Sequence, residues 1–407
     1  MKVLLLHNRY QLSGGEDAVY EREHGLLLQY GHQVMEYTRD NREIANYGSI
    51  SKATLAVRTT WAWDSHREIA KLLAEVKPDV AHFHNTLPLI SPAAYYACKA
   101  ANVPVVQTLH NYRLLCPAAN FVRDHAPCED CLDDGLIRSI RHGCYKQSRF
   151  ATTTIVGMLL LHRSLRTYIH QIDKYVTPSE FAKSKFVEAG FPSERMIVKS
   201  NFVDRDPGIG SNSGGYALFV GRLSQEKGLI TLLEAWKRNK DLPLHIVGEG
   251  EIRQQLQTTA ASFGLSKVQF FGKLEQEKVY EQMKGATVLV FPSEAYETFG
   301  MAIVEAYACG LPVVASRLGA MFEIVHDGRT GLHFWPGDAD DLAAKVEWAC
   351  LHPAEMREMG RNARKEYEER YTASRNYEML LDIYKQAIQR KQRLAATNAE
   401  CFSHVTS

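Results

Sequence analysis

The stretch SEAYETFGMAIVEAYACGLPVVAS, Ser293 to Ser316, sets two glutamates, Glu297 and Glu305, on either side of the apolar run TFGMAIV. An unpaired carboxylate in surroundings as apolar as MAIVEAYA is costly, so Glu305 is expected to have a polar partner. Residues eight positions apart on a helix are turned about 80° from each other, so one continuous helix would not align the two carboxylates. They can enter one cleft from different depths if Glu297 lies in the loop before the helix, beside the free amides of Phe299, Gly300 and Met301. A carboxylate accepts from two neighbouring hydroxyls at once, and the vicinal diols of sugars and of ribose are the ligands that fit. The bland alternative makes Glu297 a complement to the helix dipole and leaves Glu305 solvated.

A second constellation lies in YALFVGRLSQEKGLITLLEAWKR. Arg222 leaves a strand end, and Lys227 stands where the next helix starts, where its charge opposes the helix dipole unless an anion shares the spot. Together they could clamp a diphosphate; the alternative is a surface pair of Lys227 with the adjacent Glu226, which contributes little. Near the N-terminus, Gly14 and Gly15 of LSGGED (Leu12 to Asp17) would let backbone amides approach a phosphate, or form a tight turn and nothing more. The motif is not G-x-G-x-x-G, so a nicotinamide-type dinucleotide site is poorly supported.

A third cluster contains cysteines. Cys128 and Cys131 form C-x-x-C, and Cys116 and Cys144 stand eleven and twelve residues outside it, a spacing compatible with a tetrahedral four-cysteine zinc site. Unliganded thiols or a redox pair are the alternatives. Further along, Arg138, Arg141, Lys146, Arg149, Arg163, Arg166 and Lys174 face the single acid Asp173, interleaved with IVGMLLL. This pattern fits either peripheral contact with anionic membrane or a core helix with a solvated basic edge.

These residues need elements to position them. Strand-like and helix-like runs alternate from end to end, the pattern of parallel α/β sheets. KVLLLHN, HQVMEYT, DVAHFHN and PVVQTLHN read as strands of a first domain; YALFVG, LHIVGEG, VQFFGKL, ATVLVFPS and PVVAS read as strands of a second. The junction MIVKSNFVDRDPGIGSNSGG holds the boundary, giving domains over 1–203 and 204–370 and a C-terminal helix and tail over 371–407. The fold class is α/β, two Rossmann-like doubly wound domains facing a central cleft, where ligands bind outside the carboxyl ends of the strands.

Chain-wide properties narrow the function classes. A length of 407 residues suits two domains, and a net charge of +1 gives no global case for nucleic-acid binding. The apolar run of MKVLLLHNRY ends too early for a signal peptide, and IVGMLLL is far short of the roughly 20 residues that span a bilayer, so a cytoplasmic protein is expected. Eight cysteines are too sparse for a disulfide scaffold.

Taken together, SGGED, VGRLSQEKG, ETFGMAIVEA and GLHFWPGDADDLA, in this order over nearly the whole chain, resemble the retaining glycosyltransferases of family 4, of GT-B fold, in a subgroup with HNYRLLCP and a four-cysteine insert at 116–144. The resemblance implies transfer of a sugar from a UDP- or GDP-sugar to a glycan acceptor in cell-surface polysaccharide biosynthesis. The basic segment makes a lipid-linked acceptor the expectation. By the same resemblance Arg222 and Lys227 hold the donor diphosphate, Glu305 takes the ribose hydroxyls, and Glu297 with the backbone of Phe299, Gly300 and Met301 holds the transferred sugar and a phosphate. Gly248 of VGEGE and Gly272 of FFGKL border the nucleobase, His110 contacts the sugar near the reacting carbon, and Gly15 lies near the diphosphate. No cofactor is required for the transfer, structural zinc being a separate matter. His84 and Asn85 of HFHN are candidates for the acceptor side. Rival readings are an epimerase-like nucleotide-sugar enzyme on the same fold, and a zinc-dependent nucleic-acid-binding protein built around the cysteines.

Overall fold

The computed structural model describes residues 1–11, 14–47, 54–124 and 126–405, without the side chains of residues 395 and 397–405. Leu12 and Ser13 of the glycine turn therefore lie outside the described residues.

The first sheet comprises β1 (Lys2–Arg9), β2 (Gln33–Asp40), β3 (Val80–Asn85), β4 (Val105–Thr108), β7 (Lys174–Thr177) and β8 (Met196–Val198), in the order β2-β1-β3-β4-β7-β8. The second comprises β9 (Ala217–Val220), β10 (Leu244–Val247), β11 (Val268–Gly272), β12 (Val288–Phe291), β13 (Val313–Ser316) and β14 (Gly331–Phe334), in the order β11-β10-β9-β12-β13-β14. Neighbouring strands in both sheets run parallel. Strands such as LLL in β1 and VLVF in β12 are buried on both faces because helices cover each side of a parallel sheet. A short hairpin of β5 (Val122–Arg123) and β6 (Ala126–Pro127) lies in the 116–144 segment.

In each sheet the strand order reverses once, between β1 and β3 and between β9 and β12. At such a reversal adjacent loops diverge and leave a crevice for ligand. The loops after β1 and β9 are the glycine turn and the Arg222–Lys227 loop, and the loop after β12 carries Glu297.

The last helix, Ala373–Val405, runs through the segment expected to be an aperiodic tail. Its Leu380, Ile383, Tyr384 and Ala387 pack with Val3, Leu5 and Tyr20, which returns the chain end onto the first domain. Asp204 and Asp206 lie in the connection between the sheets, and Asp206 pairs with Arg364 at 2.6 Å.

Candidate functional site

Between the carboxyl ends of the two sheets lies a cavity of about 770 Å³, lined by Gly14, Gly15, His110, Arg222, Lys227, Glu297, Phe299, Gly300, Met301 and Glu305. Residues drawn from both halves of the sequence thus meet in one cleft.

The second-domain wall is built locally. After β9 the chain makes a single tight turn, Gln225–Lys227, and Gly228 at φ 67° starts the helix Leu229–Trp236. A Cβ at Gly228 would lie 1.9 Å from the Pro292 carbonyl oxygen, so only glycine lets this loop close on the one after β12. The Glu294 amide donates to the Glu226 carbonyl at 2.9 Å and the Ser293 hydroxyl to the same carbonyl at 3.2 Å, which fastens the loops together. Lys227 is thereby aimed at Glu297, with Nζ 2.5 Å from Oε1, while the Ser293 hydroxyl donates to the same oxygen at 2.7 Å. Lys227 therefore pairs across the loops rather than with the adjacent Glu226, whose carboxylate accepts from Ser224 at 2.7 Å. The helix expected from Phe299 starts at Met301, with Gly300 capping it, so the free amides of its first turn open beside Glu297.

Glu305 is buried, and its partner comes from the other domain. Arg22 Nη2 stands 3.0 Å from Glu305 Oε1, and Gln276 Nε2 stands 3.4 Å from the same oxygen. Burial pushes the Glu305 carboxyl up, opposed by Arg22. Arg22 also donates to the Phe202 carbonyl at 3.2 Å, so one guanidinium links the first helix, the connection between domains and the second domain. Sequence reasoning missed Arg22, because nothing along the chain joins it to a residue 283 positions away.

The first-domain wall is assembled over longer distances. A Cβ on Gly14 would come within 3.5 Å of Arg222 Nη2, so the glycine turn faces the second domain's cation directly. His110 Nε2 is 2.9 Å from His84 Nδ1, and the His110 carbonyl accepts from Thr298 of the opposite wall at 2.8 Å. Burial, with the nearby His7 and Lys199, lowers the His110 pKa to about 3, so its imidazole is neutral at pH 7. His84 and Asn85 do not reach the acceptor surface. His84 is buried behind His110, and the Asn85 amide donates to the Asn8 carbonyl at 2.8 Å, so both support the wall rather than form it.

Glu16, which was not singled out in the sequence, also lines the cleft. Its Oε2 accepts from Asn111 at 2.9 Å, while its Oε1 is shielded from solvent and has no hydrogen-bond partner. Burial raises its pKa to about 7. Its position straight after the two glycines was the available signal.

Gly248 and Gly272 are at the ends of β10 and β11 but are not among the cavity-lining residues. Gly248 has φ 145°, and its Cβ would lie 1.8 Å from the Gly221 carbonyl oxygen, so it packs against the start of the Arg222 loop. Deeper in the first domain, Glu23, His82 and His84 bring ligand atoms within 4.8 Å of one another. The Lys199 ammonium, 2.6 Å from Glu23, supplies the cation there, and both nitrogens of His82 are bonded, to Tyr384 and Thr108. The cysteines of the 116–144 segment, Cys116, Cys128, Cys131 and Cys144, are free thiols that line one small void.

Comparison with known proteins places this cleft in context. Residues 26–207 match the family described as Glycosyltransferase Family 4, and residues 209–366 match Glycosyl transferases group 1. The chain is 31% identical over 376 residues to the uncharacterized glycosyltransferase MJ1607 of Methanocaldococcus jannaschii, covering 89% of this chain and 90% of that one. It is 30% identical over 230 residues to the D-rhamnosyltransferase WbpZ of Pseudomonas aeruginosa, covering 53% of this chain and only 60% of that protein's length. The fold is that of Anabaena HepE, solved in complex with UDP, with a TM-score of 0.64 at 19% identity over 98% of this chain and 100% of that one. With the GT-B architecture, the facing loops and a near full-length relative in hand, the chain belongs to the group 1 glycosyltransferases.

Proposed function

We propose that this glycosyltransferase is a retaining enzyme that moves a sugar from a UDP- or GDP-sugar to a lipid-linked glycan acceptor in cell-surface polysaccharide synthesis. The observation that carries the reading is the convergence of Arg222, Lys227 and the free amides before Met301 on one side of the cavity, opposite Gly14, Gly15 and His110. The UDP held by HepE supports a nucleoside diphosphate donor, and the rhamnosyl transfer named for WbpZ supports sugar transfer.

In this reading Arg222 and Lys227 receive the diphosphate as the glycosidic bond to it breaks, and the helix amides take its remaining charge. Such preorganised donors stabilise the transition state without reorganising during reaction. Glu297, held by Lys227 and Ser293, orients the sugar hydroxyls. Glu305 keeps Oε2 clear of its two protein partners for the ribose diol. Neutral His110 bonds to the sugar beside the reacting carbon. The acceptor hydroxyl enters on the face the diphosphate leaves, its proton passes to the departing phosphate oxygen, and Glu16 Oε1 orients the acceptor by accepting from a second hydroxyl.

The acceptor side also carries a surface suited to an anionic membrane. Ile137, Phe150, Leu160, Leu161 and Leu165 are exposed beside Arg138, Arg141, Arg149, Arg163 and Arg166, and no helix of the described residues is long and apolar enough to cross a bilayer. We place the enzyme on the cytoplasmic face of the membrane through this patch, which fits interfacial binding.

Incubation with UDP- and GDP-sugars and a polyprenyl-linked glycan, followed by NMR of the anomeric proton, tests the reading. A product with the donor's anomeric configuration supports it; inversion, or epimerised nucleotide sugar without transfer, overturns it.

A further inference from the structure

The segment between Cys116 and Cys144 has little to hold it. Its strands are two residues each, and its helices, Asp130–Asp133 and Ile137–His142, are four and six residues. Its apolar support is divided: Cys131 and Leu136 meet Ile155, Val156, Met158 and Leu159 in a small satellite cluster, while Cys116 and Phe121 reach the first domain's core. Segments with so small a core are usually fastened by disulfides or a metal. The described cysteines are all free thiols.

The four thiols of this segment face one void. Cys116, Cys128, Cys131 and Cys144 line one void of about 10 Å³, about the room one water-sized sphere needs. Cys116 is hydrogen-bonded to Cys131, and Cys144 lies within electrostatic reach of Cys116 and Cys128. Backbone amides of Ala118, Ala119 and Phe121 point at the Cys116 sulfur, and that of Asp130 points at Cys128. Arg123 and Arg138 also line the void, paired with Asp130 at 2.6 Å and Asp134 at 2.9 Å.

We infer that Cys116, Cys128, Cys131 and Cys144 bind a single zinc ion as a tetrathiolate that fastens the 116–144 segment against the acceptor wall of the cleft. All-sulfur tetrahedral coordination is a closed structural arrangement, with no open position for catalysis. Each thiol that ligates releases its proton to solvent. The functional consequence rests on the reading of the cleft given above. Tyr145 and Lys146 follow Cys144 directly and line the cavity, and the Arg113 guanidinium lies 4.7 Å from the centre of the Tyr145 ring. Fixing Cys116 to Cys144 therefore fixes Arg113 and Tyr145 together.

The test uses the full-length protein purified without chelator. Elemental analysis is expected to give one zinc per chain in the wild type and in Cys350→Ser, whose thiol is exposed and outside the cluster. Cys128→Ser and Cys131→Ser are expected to lose more than half of it. Cobalt exchanged into the wild type is expected to show intense thiolate charge transfer and tetrahedral d–d bands, a readout independent of activity. Stoichiometric iron, absence of metal, or disulfides found by mass spectrometry after alkylation would overturn the site. Should the serine variants not fold, the cobalt spectrum of the wild type decides alone. For the bracing role, metal removal is expected to raise the acceptor KM at least fivefold while nucleoside diphosphate binding changes less than twofold. A loaded site whose removal leaves acceptor KM unchanged keeps the zinc and overturns the brace.

Discussion

On the second-domain wall, Arg222, Lys227, Glu297 and Met301 each stand in the loop or helix start that follows β9 or β12, and the two loops hold each other directly, as in the contacts of Lys227 and Ser293 with Glu297. On the first-domain wall the groups are set by buried neighbours behind them, His110 by His84 and Glu16 by Asn111, while Glu305 of the second domain is held across the cleft by Arg22. The donor wall is thus a preformed clamp. The acceptor wall depends on its buried support, so damage behind it should travel to the site.

The largest effects are expected on the clamp. Lys227→Ala and Glu297→Ala are each expected to lower kcat by about two to three orders of magnitude, the usual loss when one preorganised contact is removed. Steady-state turnover with saturating donor measures this. Near-native turnover in either variant would remove the distinction between the walls, because the clamp would then not carry the reaction.

The next effect tests the link between the walls. Arg22→Met removes a charge-assisted hydrogen bond of roughly 1.5–3 kcal/mol from Glu305, so donor Kd is expected to rise about tenfold or more. The sign with pH follows from the carboxyl's environment. Burial raises its pKa and Arg22 opposes that, so losing Arg22 raises it further. Donor binding, which needs the carboxylate to accept two hydroxyls, should therefore weaken as pH falls, and at higher pH in the variant than in the wild type. Calorimetric titration with nucleoside diphosphate across pH checks both points. Unchanged affinity would make Arg22 a domain-closing residue alone.

The contrast between the walls also explains what the sequence disclosed. Alternating strand and helix patterns made the doubly wound architecture readable, and motif spacing made Arg222, Lys227, Glu297 and Glu305 readable, because each stands in the loop or helix that follows a strand end. The short strands KYVT, MIV and GLHF of β7, β8 and β14 carry too few residues for a pattern, and their place comes from the sheet edge they complete. Arg22 and Glu16 sit in a helix with many charged residues, where one facing the cleft reads like one facing water. His84 and Asn85 were legible as polar residues at a strand end; which of them faces ligand depends on the turn of the strand and on His110, which packs in front of His84. The continuation of the last helix to Val405 runs through a stretch without apolar periodicity.

A smaller effect tests support from behind. His84 touches His110 but no part of the cavity, so His84→Gln is expected to lower kcat about fivefold through His110. In the His110→Ala background the same change should do almost nothing, a coupling of about 1 kcal/mol, within the range for residues in direct contact. A double-mutant cycle on kcat, with donor KM as the control that should not move, separates this from general destabilisation, which would be additive.

The smallest effect concerns Glu16 and is a matter of pH. Its pKa is raised by burial to about 7, above that of a carboxyl in the unfolded chain. Between those two values the folded state holds a proton that the unfolded state has lost, so stability is present at low pH and declines as pH rises through 7. Activity runs the other way, because only the carboxylate can accept on Oε1 from the acceptor while Asn111 holds Oε2. Acceptor KM should therefore fall severalfold between pH 6 and 8 in the wild type, and the Tm should fall slightly over the same range. A change of about 1 kcal/mol corresponds to roughly 2–4 °C for a domain of this size. Glu16→Gln keeps the shape and an acceptor oxygen but cannot titrate, so both slopes should flatten together. A flattened Tm profile beside an unchanged acceptor profile would keep the buried proton and remove Glu16 from the acceptor wall. An unchanged pair of profiles would place the titration in another group of the cleft.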